Sequence, residues 1–230
     1  MRISEAHVLV AHGTRKPTGV ALIGDLAQGV SRALGVEVHV AFVDVLGPTP
    51  SDVLRDLDAP AVVVPAFLSR GYHVNTDIPA HVTASGRRDG VITDALGPSP
   101  QLARMLADRL VECGWRPGDS VVLGAAGTSN PYAQSDLRRM SALLSAVLGD
   151  RVELAFAATG EPTVADAVAH LRRTGARRVV VASYLLADGL FQDRLRCSGA
   201  DTIAEPLGTH SAMVRLIASR FRRARLPIAA

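Results

Sequence analysis

Short apolar runs recur along the chain at regular intervals: "HVLVA", "VEVHVAFVDV", "AVVVPAFL" and "VITDAL", then "SVVLGAA", "VELAFAA", "RVVVASYLL" and "DTIAEPL". They are rich in Val and mostly do not alternate, the pattern of strands covered on both faces. Between them lie amphipathic stretches of helical length, at 17–34, 99–112, 131–148, 163–174 and 210–224. Leu137, Met140, Leu144 and Val147 recur at the spacing of one helix face, and Gly149 supplies a stop. Strand alternating with helix predicts an α/β fold with mostly parallel sheets and right-handed crossovers.

The pattern also repeats. "AHGTRKP" (11–17) aligns with "AAGTSNP" (125–131), and "VEVHVAF" (36–42) with "RVELAF" (151–156). "VVVPAFL" aligns with "VVVASYL", and "ALGPSPQLARMLADRL" with "PLGTHSAMVRLIASRF". We therefore expect two tandem copies of one unit, each a four-stranded sheet flanked by helices. The expected division is 1–117, carrying the candidate site, and 118–230, a copy without its histidines. "ECGWRPGDS" (112–120) joins them.

A repeat allows positions to be compared inside one molecule. What folding needs should persist in both copies; what one active site needs can survive in only one. Gly13/Gly127 and Pro17/Pro131 persist, which fits a tight turn into a helix start. His12 is replaced by Ala126, Arg15 by Ser129 and Asp44 by Ala158.

His12 is expected at the carboxyl end of the first strand, the edge where open α/β sheets bind ligands. His73, in "AFLSRGYHVNTDIP" (66–79), follows the third strand and reaches the same edge. The second copy reads "SYLLADGLFQD" there, so both histidines vanish together. Imidazole binds Fe, Co, Ni and Zn and exchanges protons near neutral pH. Asp44 ends the second strand on that edge, as a metal ligand, an imidazole-orienting partner or a helper in proton removal. Asp77 reads as the N-cap of the following helix, and its counterpart Asp193 persists. His7, His39, His81, His170 and His210 read as packing or surface groups, His81 being the one that could approach the site. No GxSxG elbow, GxxxxGK[ST] phosphate loop or GxGxxG is present.

Bulk properties narrow the class. The 230 residues are 48% hydrophobic, enough for a sizeable core. No apolar run approaches the roughly 20 residues of a membrane span, and the first one is too short for a signal sequence, so a cytoplasmic chain is expected. Cys113 and Cys197 form no CxxC spacing. Of 25 basic residues only Lys16 is Lys; the Arg-rich remainder fits codon bias or an anionic partner. No basic run is interleaved with aromatics, which argues against nucleic acid. "RFRRARLP" (220–227) reads as a solvated helix end.

"LVAHGTRKP" resembles the HGSR opening of the sirohydrochlorin chelatases, the class II-type cobalto- and ferrochelatases. "AFVDVLGPTP" resembles their strand ending FLE…P, and "FLSRGYHVNTDIP" their G-x-H-V-x-x-D-I-P element. The likeness spans nearly the whole chain, because the family's long form is itself a tandem. It implies insertion of a divalent metal, Co²⁺ or Fe²⁺, into a tetrapyrrole of cobalamin or sirohaem synthesis, and imidazole chemistry adds Ni²⁺ as a third candidate. No ATP and no organic cofactor are implied. By motif position, His12 and His73 would hold the metal and receive pyrrole protons, with Asp44 where the family has Glu. Gly13, Thr14, Arg15 and Arg70, with Lys16, would meet the carboxylate-rich substrate. No membrane is implied, and a tandem chain can work as a monomer. Two other readings stay open: a non-catalytic tetrapyrrole or metal carrier, and a metal-independent small-molecule α/β enzyme.

Overall fold

The computed structural model describes residues 5–224. Residues 225–227 of the expected helix end lie outside the described residues. The first half runs β1 (Ala6–Ala11), α1 (Pro17–Leu34), β2 (Val38–Phe42), α2 (Pro50–Arg55), β3 (Ala61–Pro65), a π-helical turn (His73–Asp77), α3 (Ile78–Ala84) and β4 (Val91–Ile92). The second runs α4 (Pro100–Glu112), β5 (Ser120–Gly127), α5 (Pro131–Leu148), β6 (Val152–Thr159), α6 (Val164–Arg173), β7 (Val179–Tyr184), α7 (Leu190–Arg196), β8 (Thr202–Ile203) and α8 (Ser211–Arg223). The two four-stranded sheets are ordered β2-β1-β3-β4 and β6-β5-β7-β8, with every pairing parallel.

The expected elements form for the expected reasons. Val8, Leu9, Val10, Val62, Val63 and Val64 are fully buried, as central parallel strands must be. Pro17 and Pro131 open α1 and α5. Gly35 and Gly149 end them in the left-handed conformation, donating to the carbonyls of Ser31 and Ser145. Among the described residues no helix is long and apolar enough to cross a membrane.

Two compact units emerge, and they are cut differently from the sequence repeats. One comprises the chain up to Leu96 together with α8; the other is Gly97–His210. The division expected at 117/118 would have left α4 and α8 with their own repeats. Instead α4 packs on α5 and β7, and α8 packs on α1 and β3. Specific contacts hold α8 in place. Gly29 meets Val214, where a Cβ would sit 2.9 Å from a methyl carbon. His7 lies within β1 and meets Phe221 edge-on at 5.0 Å. Arg220 donates to the Leu96 carbonyl at 3.1 Å and Arg222 to that of Ala33 at 2.7 Å, so these two guanidinium groups anchor the helix.

Two predictions follow from this packing. Gly127 has φ +95°, and a Cβ there would lie 1.9 Å from the Thr159 carbonyl oxygen. Gly127→Ala should cost about 3 kcal/mol, read from the urea midpoint. Burial lowers the His7 imidazole below its ordinary 6.5, opposed in part by Glu5. The unfolded chain therefore takes up that proton first, so stability holds above 6.5 and declines as pH falls below it. His7→Gln should flatten the decline in urea midpoint between about pH 7 and pH 5.

Candidate active site

The site lies in the first unit, at the carboxyl edge of β1, β2 and β3. β1 stops at Ala11, and His12 projects beyond it, exposed. The next residue, Gly13, has φ +96°, and a Cβ there would stand 2.1 Å from the Asp44 carbonyl oxygen. Only glycine lets the two loops come this close. The Asp44 N–H donates to the His12 carbonyl at 3.0 Å, which fastens the β2 loop to the end of β1.

His73 arrives from the β3 loop. Its ring centre stands 4.7 Å from that of His12, with the planes at 85°. Phe67 lies 5.8 Å from the His73 ring. The π-helical turn starts here, with the Ile78 N–H donating back to the His73 carbonyl. π-turns inserted into helices are frequent at functional sites. The equivalent segment of the second unit is ordinary α-helix and carries Phe191 and no histidine.

The wide turn sets His73 against Asp77, Nδ1 to Oδ2 at 2.5 Å. This corrects the N-cap expectation: the Asp77 side chain caps no backbone N–H and instead bonds the imidazole. The spacing of "HVNTD" held that signal, since side chains four apart share a helix face. The apparent persistence of Asp193 obscured it, but Asp193 pairs with Arg196 at 3.1 Å.

These bonds select the tautomers. The His12 Nδ1 lies 3.1 Å from the Gly13 carbonyl, which can only accept, so Nδ1 carries the hydrogen. The Asp77 carboxylate, as acceptor, imposes the same on His73. Each ring then leaves the Nε2 lone pair for a cation or a proton. At a metal–nitrogen bond of about 2.1 Å, each ring centre lies about 3.2 Å from the metal, and two such rings at about 90–109° stand about 4.5–5.2 Å apart. The observed 4.7 Å lies within that range.

The other expected residues divide. The Asp44 carboxylate accepts from the Val45 N–H at 2.7 Å, turned to its own loop. Among the described residues no three His, Cys, Asp or Glu side chains gather to hold a metal, so Asp44 is not brought into the histidine pair. The Thr14 hydroxyl accepts from the Lys16 N–H, as Thr128 does from Asn130, so it forms part of the shared turn. Arg15 and Arg70 are exposed beside the pair in sequence. His81 bonds Ser51 at 3.2 Å, and His210 bonds Asp108 at the same distance.

A family model, CbiX, matches this chain twice, over residues 6–113 and 120–224. The chain belongs to the CbiX family. A sirohydrochlorin cobaltochelatase of Priestia megaterium is 27% identical over 205 residues, covering 82% of this chain and 66% of that one. A sirohydrochlorin ferrochelatase of the same organism is 22% identical over 204 residues, covering 84% and 77%. Among solved structures, SirB from Bacillus subtilis with Fe³⁺ superposes with a TM-score of 0.82 at 19% identity, over 96% of this chain and 95% of that one, a likeness of fold.

If Asp77 holds the His73 tautomer, Asp77→Ala should move the ring ¹⁵N resonances of His73 from the Nδ1–H form to an averaged mixture. The His12 resonances should stay in place.

Proposed function

We propose that this chain is a sirohydrochlorin chelatase: it places a divalent metal, Co²⁺ or Fe²⁺, into the macrocycle and removes the two inner pyrrole protons. The observation that carries this reading is the pair of adjoining imidazoles, 4.7 Å apart and edge to face, each bonded through Nδ1 so that Nε2 is left for a cation or proton. The family and its relatives supply the substrate class. Nickel, a third candidate from ligand chemistry, is not named by the relatives described above.

His12 and His73 present the cation through two neutral nitrogens. Borderline imidazole ligands suit Co²⁺ and Fe²⁺. Two protein ligands leave coordination positions that pyrrole nitrogens can enter, and a weakly held ion is one that can be passed on. As metal–pyrrole bonds form, each inner nitrogen loses a proton, and the Nε2 atoms, released from the metal, are placed to accept them. Asp77 keeps His73 in the tautomer both tasks need. Asp44, tied to the β2 loop, supports the edge and adds negative charge beside the metal path. Arg15, Lys16 and Arg70 offer cations to the carboxylates around the macrocycle. No phosphate-binding loop is required, because ligand exchange needs no ATP.

Initial rates of metallation, followed by absorbance under anaerobic conditions with Co²⁺ or Fe²⁺, test this. His12→Ala and His73→Ala should each abolish insertion while circular dichroism stays that of the parent. Asp77→Ala should slow it about 10–100-fold, the usual cost of losing a ligand-orienting partner. Full activity in either histidine variant would overturn the proposal.

A further inference from the structure

The loop after β2 holds a backbone conformation that its side chain disfavours. Val45 has φ +67°, and it is the sole non-glycine with positive φ among the described residues. The Leu46 N–H donates to the Asp44 carbonyl at 2.7 Å. A bond of that span around a residue of positive φ is the rare, strained form of γ-turn. A β-branched residue is the worst suited to it. The second unit has a backbone closure of equal span: the Phe42 N–H donates to the Pro48 carbonyl, and the Phe156 N–H to that of Pro162. There the positive φ falls on Gly160, one place later. The fold thus makes this loop without strain where the histidines are absent.

The strain exposes an apolar side chain. Val45 is 45% exposed and Tyr72 60% exposed. With Val36, these are the exposed large hydrophobics among the described residues of the first unit, and Val36 lies at the opposite edge, just before β2. Strand order β2-β1-β3 puts the Val45 loop on one side of His12 and the Tyr72 loop on the other. Tyr72 also directly precedes His73, with ring centres 6.0 Å apart. Two costly exposures thus flank the imidazole pair.

We propose that Val45 and Tyr72 are substrate-contact residues that carry the flat face of the tetrapyrrole over the two imidazoles. This rests on the chelatase reading above. A conjugated macrocycle has apolar faces and a charged rim. Its faces match Val45 and Tyr72; its rim carboxylates match Arg15 and Arg70 on the same edge. The γ-turn persists because it holds the valine outward, where an unstrained loop would let it fold back.

The test uses the full chain with Val45→Gly, Tyr72→Ala, Tyr72→Phe and the control Val36→Ala. Metal-free sirohydrochlorin binding, Co²⁺ insertion rates and thermal melting are measured for each. Val45→Gly should melt at or above the parent temperature, because glycine relieves the turn. It should bind sirohydrochlorin about fivefold more weakly, the loss expected for part of one valine contact, with the KM for Co²⁺ unchanged. Tyr72→Ala should weaken binding similarly and Tyr72→Phe less than Tyr72→Ala, while Val36→Ala matches the parent. Parental sirohydrochlorin binding in both Val45→Gly and Tyr72→Ala would overturn the inference and leave the chelatase reading standing. A parent protein that neither binds nor metallates sirohydrochlorin would overturn both.

Discussion

The site depends on how closely two loops can approach at the end of one strand. Gly13 lies so near the Asp44 carbonyl that a methyl group would overlap it, and the Asp44 N–H reaches back to the His12 carbonyl. This contact fixes where β1 ends and therefore where His12 stands. From there the parallel order β2-β1-β3 delivers His73 from the neighbouring loop. The second unit keeps the same approach, Gly127 against Thr159, with Ala126 in place of the histidine. The geometry is thus common scaffold, and the chemistry is set by a few side chains placed on it.

Those few side chains differ in how they are held. His12 is constrained by its own backbone neighbour, His73 by a carboxylate brought round by a widened helical turn. Both constraints act on Nδ1 and spare Nε2. A metal carrier built for retention would surround its ion with three or four ligands. The proposed pair of imidazole ligands would suit transfer, because the receiving macrocycle can supply the remaining bonds without first displacing a complete set. The wide turn at His73 and the tight turn at Val45 are local departures from regular geometry. Both occur in the unit that has the histidines, where local rules are expected to yield to function.

Much of this was legible in the sequence. The strands declared themselves through unbroken Val-rich runs, which only doubly covered strands sustain. The helices followed from three-and-four periodicity and from Pro and Gly at their ends. His12 and His73 stood out because the chain carries its own comparison in the second copy. Three features were hidden. Asp77 looked like a cap because a π-turn leaves no pattern in residue types. The Asp44 carboxylate was expected near the metal, but Val45 turned it into a partner of its own loop, and a strained φ on a valine runs against propensity. The exchange of α4 and α8 was invisible because periodicity marks a helix's apolar face and does not say which sheet covers it.

That exchange bears on the order in which the protein can be made. The unit without the histidines is one continuous stretch, Gly97–His210, and all of it precedes α8 in the chain. The unit with the histidines begins at the other end of the chain and is completed only when α8 reaches α1 and β3. Chains emerge amino end first, and compact units close when their last piece arrives. The part synthesised first is therefore finished after the other, and until α8 is made the covering that it provides for α1 and β3 is missing. A nascent chain thus carries the edge with His12 and His73 on an unfinished unit until α8 has been made.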